Sequence, residues 1–425
     1  MIIGIDASRA NRKRKSGTEW YAFYLIKQLA LIDKDNQYIL YTDEPLAPDL
    51  VNLDPLGDWI NEELYDTDGY QIIRSPHNNF RGKVLTWSFG YLWTHLRLSW
   101  EMLFHRPDVL FVPSHVLPLI HPRRSVVTIH DVGFERDDLL YPKSSLGPND
   151  KFKKRLVNLL VRVFTRGRFG ANVRDYLTWS TLYALKRASK IITVSKFSQQ
   201  EVIDVYKKEL PLKCFEKINV IHNGYSRECY KVIDDQPAID KVLNKYGITR
   251  PFIFYLGRLE RKKNTPRLVE AFGMMQQKIQ GYTLVLTGRA SFGYEEVEYM
   301  ISEYRLDSKV LKTGWVSEFD LPYIFNGASA FIFPSHYEGF GIPLLEAMAC
   351  NVPIAASNVA PIEEVAGDAA LYFDPASAQS ISDSLFRVLT DEKLANDLRA
   401  KGLARVEKFG WEITAAATLE VLKKA

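Results

Sequence analysis

The chain has 425 residues, 46% of them hydrophobic and 25% charged, with a formal charge of +4 at pH 7. That length exceeds one ordinary hydrophobic core, so two domains are expected, and the composition excludes a disordered or collagen-like chain. So small a net charge does not call for a nucleic-acid partner. The three scattered cysteines, Cys214, Cys229 and Cys350, have no metal-ligand spacing and imply a reducing compartment without a disulfide framework.

The chain opens Met1-Ile2-Ile3-Gly4-Ile5-Asp6. This reads as a buried strand, since no basic region precedes an apolar run long enough for a signal peptide. No stretch of about 18 uncharged apolar residues is present, so a spanning helix is not expected, and a cytoplasmic protein is. Further β-branched or aromatic runs predict strands at 2–5, 38–41, 109–112, 126–129 and 191–194. A second series follows at 252–256, 283–286, 331–333 and 353–356. Longer helical patterns separate these continuous apolar runs, which predicts parallel sheets covered on both faces. Such sheets bind ligands at the carboxyl ends of their strands.

Residues 151–190 hold eleven Lys or Arg and one acidic residue, Asp175. Phe152, Leu156, Leu159, Leu160 and Val163 recur there at helical spacing, with Lys151, Lys154, Arg155, Arg162 and Arg166 mostly off the stripe. Two readings stand for this segment: a basic amphipathic helix on an anionic membrane surface, or a solvated helix packing its stripe on the domain. A polar stretch at 231–250, containing Asp234-Asp235-Gln236-Pro237, marks the domain boundary. The domains are thus 1–235 and 236–410, and 411–425 forms an amphipathic helix.

Two segments carry the chemistry. In Glu338-Gly339-Phe340-Gly341-Ile342-Pro343-Leu344-Leu345-Glu346, a glycine loop follows a strand and leads into a helix that starts near Pro343. The free amides of that helix start suit a diphosphate, the glycines allow close backbone approach, and the carboxylates can accept hydrogen bonds from sugar and ribose hydroxyls. In Gly257-Arg258-Leu259-Glu260-Arg261-Lys262-Lys263-Asn264, again after a strand, Arg258 and Lys263 can neutralise a departing diphosphate. The glutamates alone would read as a helix entry with solvated carboxylates, and the cations alone as a charged surface loop; in their strand–loop–helix context, and together, they read as a ligand site. Asp33-Lys34-Asp35 and Asp66-Thr67-Asp68 match an acidic metal triplet but sit in turn-like surroundings, so no metal and no cofactor is expected.

With Tyr255-Leu256-Gly257-Arg258, Lys263-Asn264, Leu286-Thr287-Gly288, Phe333-Pro334-Ser335, Tyr337 to Gly341, Pro343 to Ala349 and Glu364 to Asp368 in this order, the chain resembles the family-four retaining glycosyltransferases (glycosyl transferases group 1). The resemblance is strongest over 250–375. It implies an α/β GT-B fold: two Rossmann-like parallel-sheet domains facing across a cleft. The first would bind the acceptor, with helix 411–425 packed back on it, and the second would bind the nucleotide-sugar donor. It assigns Arg258 and Lys263 to the donor diphosphate, Glu338 to the transferred sugar, and Glu346 to the ribose. Gly339, Phe340, Gly341, Ile342 and Leu345 line the donor, and Trp315 and Val316 border the base. His130 is placed near the transferred sugar, making Glu338, His130, Arg258 and Lys263 the catalytic set.

Gly17 and Thr18 fall in the family's glycine loop, although Glu19 replaces a second glycine there. Asn351 replaces another glycine, and Asn tolerates the left-handed turn. Implied is metal-independent transfer with retention, moving a sugar, with mannose the first to try, from a nucleoside-diphosphate donor to a glycan or lipid-linked acceptor. The setting would be cell-surface polysaccharide biosynthesis at the inner face of the membrane. N-terminal loops such as 75–105 would read the acceptor; for Trp87, Tyr91, Trp93 and Trp100 there, three readings stand: stacking on sugars, facing a membrane, or core packing. Two alternatives are a sugar-nucleotide 2-epimerase of the same fold and an inactive nucleotide-sugar-binding subunit.

Overall fold

The computed structural model describes residues 1–57, 59–60, 62–87, 92–136, 141, 155, 159, 161–163, 167–170 and 172–425. They form two compact units. The first comprises Met1–Arg136, Lys143–Asn223 and Trp411–Ala425, and the second Asp137–Pro142 and Gly224–Gly410. Residues 224–235, assigned to the first domain from sequence, thus cluster with the second. There, the Ile233 amide donates to Asn326 Oδ1 (2.9 Å), Arg227 donates to the carbonyls of Glu407 and Phe409, and Tyr230 packs edge-on against Phe325. The sequence shows the helix start at Asp235, whose side chain caps the Ala238 amide, but not these distant partners.

The first unit is built on an eight-stranded sheet. Its strands are β1 (Ile2–Asp6), β2 (Gln37–Thr42), β3 (Gln71–Ile72), β4 (Phe80–Val84), β5 (Val109–Val112), β6 (Ser125–Ile129), β7 (Lys190–Thr193) and β8 (Ile218–Val220). They are ordered β3-β4-β2-β1-β5-β6-β7-β8, parallel except for β3 against β4. Helices α1 (Gly17–Ile32), α2 (Pro48–Val51), α3 (Leu98–Phe104), α4 (Val173–Arg187) and α5 (Lys196–Tyr206) belong to this unit. A π-helical turn, Trp93–Arg97, runs directly into α3. The C-terminal helix Trp411–Lys423 packs on α1: Trp411 stacks on Tyr24 with ring centroids 5.6 Å apart and meets Tyr21 edge-on. Arg124 holds the end of this helix by donating to the carbonyls of Lys423 and Ala425.

The second unit has six parallel strands, β9 (Phe252–Leu256), β10 (Thr283–Thr287), β11 (Val310–Gly314), β12 (Ala330–Phe333), β13 (Ile354–Ser357) and β14 (Ala370–Phe373), ordered β11-β10-β9-β12-β13-β14. Helices α6 (Gln236–Lys245), α7 (Thr265–Gln276), α8 (Tyr294–Glu303), α9 (Leu321–Gly327), α10 (Ile342–Ala349), α11 (Ala360–Ala366), α12 (Ala378–Thr390) and α13 (Glu392–Val406) belong to it. One side of its core joins Ile253, Tyr255, Leu268, Phe272, Leu284, Leu286 and Ile381, all fully buried.

The strands missing from the sequence reading, β3, β4, β8, β11 and β14, lie at or next to sheet edges. Strands at such positions are less covered, and β4, next to an edge, carries polar residues in Phe80-Arg81-Gly82-Lys83-Val84, so its hydrophobic signal is weak. In each sheet the strand order reverses direction at one point, between β1 and β5 and between β9 and β12. There the loops after neighbouring strands turn to opposite faces and leave a crevice.

Candidate active site

In the second unit, the two chemistry-bearing segments leave adjacent strands at that switch point. Gly257-Arg258 follows β9, and Pro334-Ser335 follows β12. The chain after β9 turns through Asn264, held at φ +59° and anchored by donation from its Nδ2 to the Pro375 carbonyl (2.8 Å), and then starts α7. This turn brings Lys263 against the loop after β12. Lys263 Nζ donates to Glu338 Oε1 at 2.5 Å, and Ser335 Oγ donates to the same oxygen at 2.7 Å. Glu338 is buried, and the Lys263 ammonium lies 6.0 Å from the centre of the Phe333 ring. A buried carboxylate needs such partners to remain charged.

Arg258 is more exposed and reaches back to Glu260 at 3.1 Å. The buried Tyr255 hydroxyl donates to the Arg258 carbonyl (2.8 Å), which sets the path of that loop. Gly288, at the end of β10, has no room for a side chain, because a Cβ there would lie 1.9 Å from the Gly257 carbonyl oxygen.

Helix α10 begins after Gly341, at φ +104°, a conformation that favours glycine. The Ile342 amide, in the first turn, has no partner within the helix and is available to an anion. The side chains of Val316, Phe340 and Leu345 are buried, Phe340 against Phe409. Trp315 is 46% exposed. Glu346 is half-buried on α10, and burial, reinforced by the nearby Glu318, pushes its pKa up to about 8, with Tyr230 opposing. Cys350 is buried and its thiol pKa is raised, first by burial and then by Glu346, so it is no nucleophile. Asn351 adopts the left-handed turn expected of it, at φ +57°.

The other sequence-selected residues lie in the first unit. His130 follows β6. Its Nε2 donates to the Pro113 carbonyl (3.1 Å), and its ring meets Tyr21 edge-on at 4.8 Å. Burial, then Arg9, lowers its pKa to about 4, leaving a neutral imidazole near neutral pH. Gly17 begins α1 after Ser16, and Glu19 closes a capping box with Ser16. The position expected to hold a second glycine thus caps the helix. Gly17 is exposed, with open space where a side chain would be, and Thr18 is half-buried.

Beside these residues is a cavity of about 270 Å³ at the carboxyl ends of β1 and β5. Ser8, Arg9, Arg12, Glu19, Thr94 and Tyr176 are among its lining residues. Arg9 pairs with Glu19 (3.4 Å) and Arg12 with Asp43 (2.8 Å). Underneath, Asp6 accepts from the Ser8 amide and hydroxyl and from Thr94 Oγ1 (2.9 Å), while burial raises its pKa. Leu92, at φ +59°, and the π-helical turn after it form part of this rim. Both features are enriched at functional sites.

Residues 236–405 match the family described as glycosyl transferases group 1. The chain is 29% identical over 330 residues to the O-antigen chain mannosyltransferase B of Escherichia coli, covering 76% of this chain and 82% of that one. Residues 236–405 are a group 1 glycosyltransferase domain, and the chain is a glycosyltransferase. It is also 31% identical over 253 residues to the serotype-specific mannosyltransferase WbdA of Escherichia coli, but that match covers 59% of this chain and only 30% of WbdA. Sucrose-phosphate synthase from Thermosynechococcus elongatus superposes with a TM-score of 0.68 at 18% identity, covering 100% of this chain and 98% of the other. The fold is GT-B, with two parallel-sheet α/β domains.

Sequence reasoning about this glycosyltransferase did not single out Asp6, Ser8, Arg9, Arg12, Thr94, Tyr176, Tyr230 or Glu318. Asp6-Ala7-Ser8-Arg9 sits at a strand's carboxyl end, the signal used elsewhere in the chain, and was within reach. Thr94, Tyr176, Tyr230 and Glu318 carry no local signal. Of the acceptor-loop aromatics, Trp93 is buried with Nε1 donating to the Leu85 carbonyl, Trp100 is exposed, and Tyr91 lies outside the described residues. Asp66 serves a turn by accepting from the Asp68 and Tyr70 amides, and Asp33 accepts from Asn36 and Tyr38. Most of 151–166, including Lys151, Lys154 and Arg166, lies outside the described residues; Leu159 and Val163 are exposed. Among the described residues no helix is long and apolar enough to cross a membrane.

Proposed function

We propose that this glycosyltransferase moves a hexosyl group, mannose being the first candidate, from a nucleoside-diphosphate sugar to a glycan or lipid-linked acceptor. The work would belong to cell-surface polysaccharide biosynthesis at the cytoplasmic face of a membrane. The observation that carries the reading is the Lys263–Glu338 contact at the β9/β12 switch point, next to the start of α10. It puts a cation, a hydrogen-bond acceptor and a helix N-terminus at one strand edge, as a sugar diphosphate requires. The names of the two Escherichia coli relatives, both mannosyltransferases, support the sugar and the setting.

In this mechanism Lys263 and Arg258 neutralise the diphosphate as the bond from C1 to the phosphate oxygen breaks. The acceptor hydroxyl attacks from the same face, so configuration is retained. The acceptor proton passes to the departing phosphate, and no protein base and no metal is required. Glu338 orients the transferred sugar by accepting from its hydroxyls, and Glu346 meets the ribose. Gly339 to Ile342 and Leu345 offer backbone to the donor, and Trp315 and Val316 border the base. In the first unit, the Asp6–Arg9–Glu19 cavity holds the acceptor, with neutral His130, Gly17 and Thr18 beside it.

The test is a donor screen with GDP, UDP, ADP and dTDP sugars, followed by transfer assays on the full chain. Glu338→Ala should bind nucleotide and lose transfer; unchanged transfer in that variant removes Glu338 from the mechanism. Interconversion of the donor sugar without acceptor would instead make the protein an epimerase.

A further inference from the structure

Glu260 is a buried carboxylate that the mechanism above leaves without a task. It is 5% exposed and lies two residues after Arg258 in the loop that follows β9. The other cations of that loop turn elsewhere. Arg261 Nε donates to Glu296 (2.7 Å), the Lys262 ammonium faces the Tyr337 ring (5.3 Å), and Lys263 donates to Glu338 (2.5 Å). Among the described residues, the cation paired with Glu260 is Arg258, whose Nη2 stands 3.1 Å from Oε1. Burial makes a carboxylate costly unless a cation or hydrogen-bond donors face it, so this acid is no incidental surface charge.

The backbone around the pair is fixed. The Tyr255 hydroxyl holds the Arg258 carbonyl (2.8 Å), and the Leu259 amide donates to the Arg289 carbonyl (2.9 Å). The Glu260 carbonyl accepts from the Lys263 amide (3.2 Å) and from Thr265 Oγ1 (3.2 Å). The Arg258 side chain is different: it is 59% exposed, and Glu260 is its ion-pair partner among the described residues. A long exposed arginine samples many rotamers, and ordering it on a ligand costs entropy. The pair is also incomplete, since Oε1 accepts no aligned hydrogen bond although Nη2 is within reach. A guanidinium carries five N–H donors in one plane. One edge can therefore close on Glu260 while another closes on a phosphate oxygen.

We propose, resting on the donor-site reading given above, that Glu260 is a positioning residue: it anchors one edge of the Arg258 guanidinium and so presents the other to the donor's diphosphate. An anchor and a bare negative charge have effects of opposite sign. Were Glu260 only a negative charge near the phosphates, its removal would tighten nucleotide binding. As an anchor, its removal frees Arg258 and weakens both binding and transfer. A cation already held in place stabilises the departing phosphate without having to reorganise.

The test is a double-mutant cycle of Glu260→Gln and Arg258→Ala on the full chain, read by sugar transfer and by calorimetry with GDP and with UDP. Glu260→Gln alone should lower kcat/KM for the donor by about tenfold and weaken nucleotide binding, with the melting temperature kept. In the Arg258→Ala background the same substitution should change either quantity by no more than about twofold. Glu260→Asp, which keeps the charge, should recover part of the loss, and it takes the place of Glu260→Gln in the cycle if that variant does not fold. An equal loss in both backgrounds, or no loss with Arg258 present, overturns the proposal. So does tighter nucleotide binding in Glu260→Gln. Coupling in nucleotide affinity from a chain that transfers no sugar from these donors would leave the role of Glu260 standing and sink the reaction proposed above; transfer without coupling would do the reverse.

Discussion

The two units hold their candidate sites in different ways. In the second, Arg258, Lys263, Glu338 and Glu346 come from two short segments directly after neighbouring strands. In the first, the cavity draws on side chains from Ser8 to Tyr176, linked by ion pairs such as Arg9 with Glu19. A diphosphate has one shape and one charge, and a strand end beside a helix start answers both within a few residues. A polyhydroxylated acceptor, proposed for this cavity, would offer many groups at many angles, to be met by side chains gathered from across the fold.

The units also bury opposite titrations. His95 and His130 in the first are held neutral by burial, with pKa values near 4. Glu346 in the second is held protonated by burial, with a pKa near 8.

The sharpest way to break this contrast is at the Lys263–Glu338 contact. Lys263→Ala should lower transfer by roughly 10²–10³-fold and weaken nucleotide binding, since it removes a phosphate cation and strands a buried carboxylate. Glu338→Ala should lower transfer comparably while calorimetry still detects nucleotide. Normal transfer in both variants would move the chemistry elsewhere.

Next in size is the C-terminal helix. Trp411→Ala should cost about 3–5 kcal/mol, because Trp411 is buried between Tyr21 and Tyr24. Hydrogen exchange should show the loss in the first unit's α1 and leave β9–β14 protected. An equal loss in both units would mean that they unfold as one.

The pH dependence contributed by His95 and His130 should differ in sign from that contributed by Glu346. An unfolded histidine, with its ordinary pKa of 6.5, binds protons that folded His95 and His130 refuse. The first unit therefore loses stability as pH falls from about 6.5 to about 4, by about 3 kcal/mol per histidine. Glu346 works the other way: folded, it binds a proton that the unfolded group releases above its ordinary 4.5. Its contribution is full below that value and is lost as pH rises towards 8. Exchange measured by unit at pH 5 and pH 8 checks both directions.

The smallest effect is expected at the cavity. Arg9→Ala should raise the acceptor KM by about tenfold with the donor KM unchanged. A change in the donor KM alone would take Arg9 out of the acceptor site.

The order of residues along the chain determined a good deal by itself. Central strands such as Phe252–Leu256 read as continuous apolar runs because both faces are covered. The glycine loop before α10 is legible because the backbone geometry it needs admits few other residues. The pairing of Arg258 and Lys263 with Glu338 and Glu346 came from family-like order over 250–375, which local motifs preserve. Tertiary structure decided the rest. Adjacency of β9 to β12, and hence the meeting of Lys263 with Glu338 across 75 positions, depends on strand order, which no local pattern encodes. The same holds for the docking of Trp411 on α1, the cavity joining Ser8 to Tyr176, and the protonated state of Glu346. Each depends on groups brought together only when the sheets close over their cores, and burial, which sets both packing energy and charge state, exists only then.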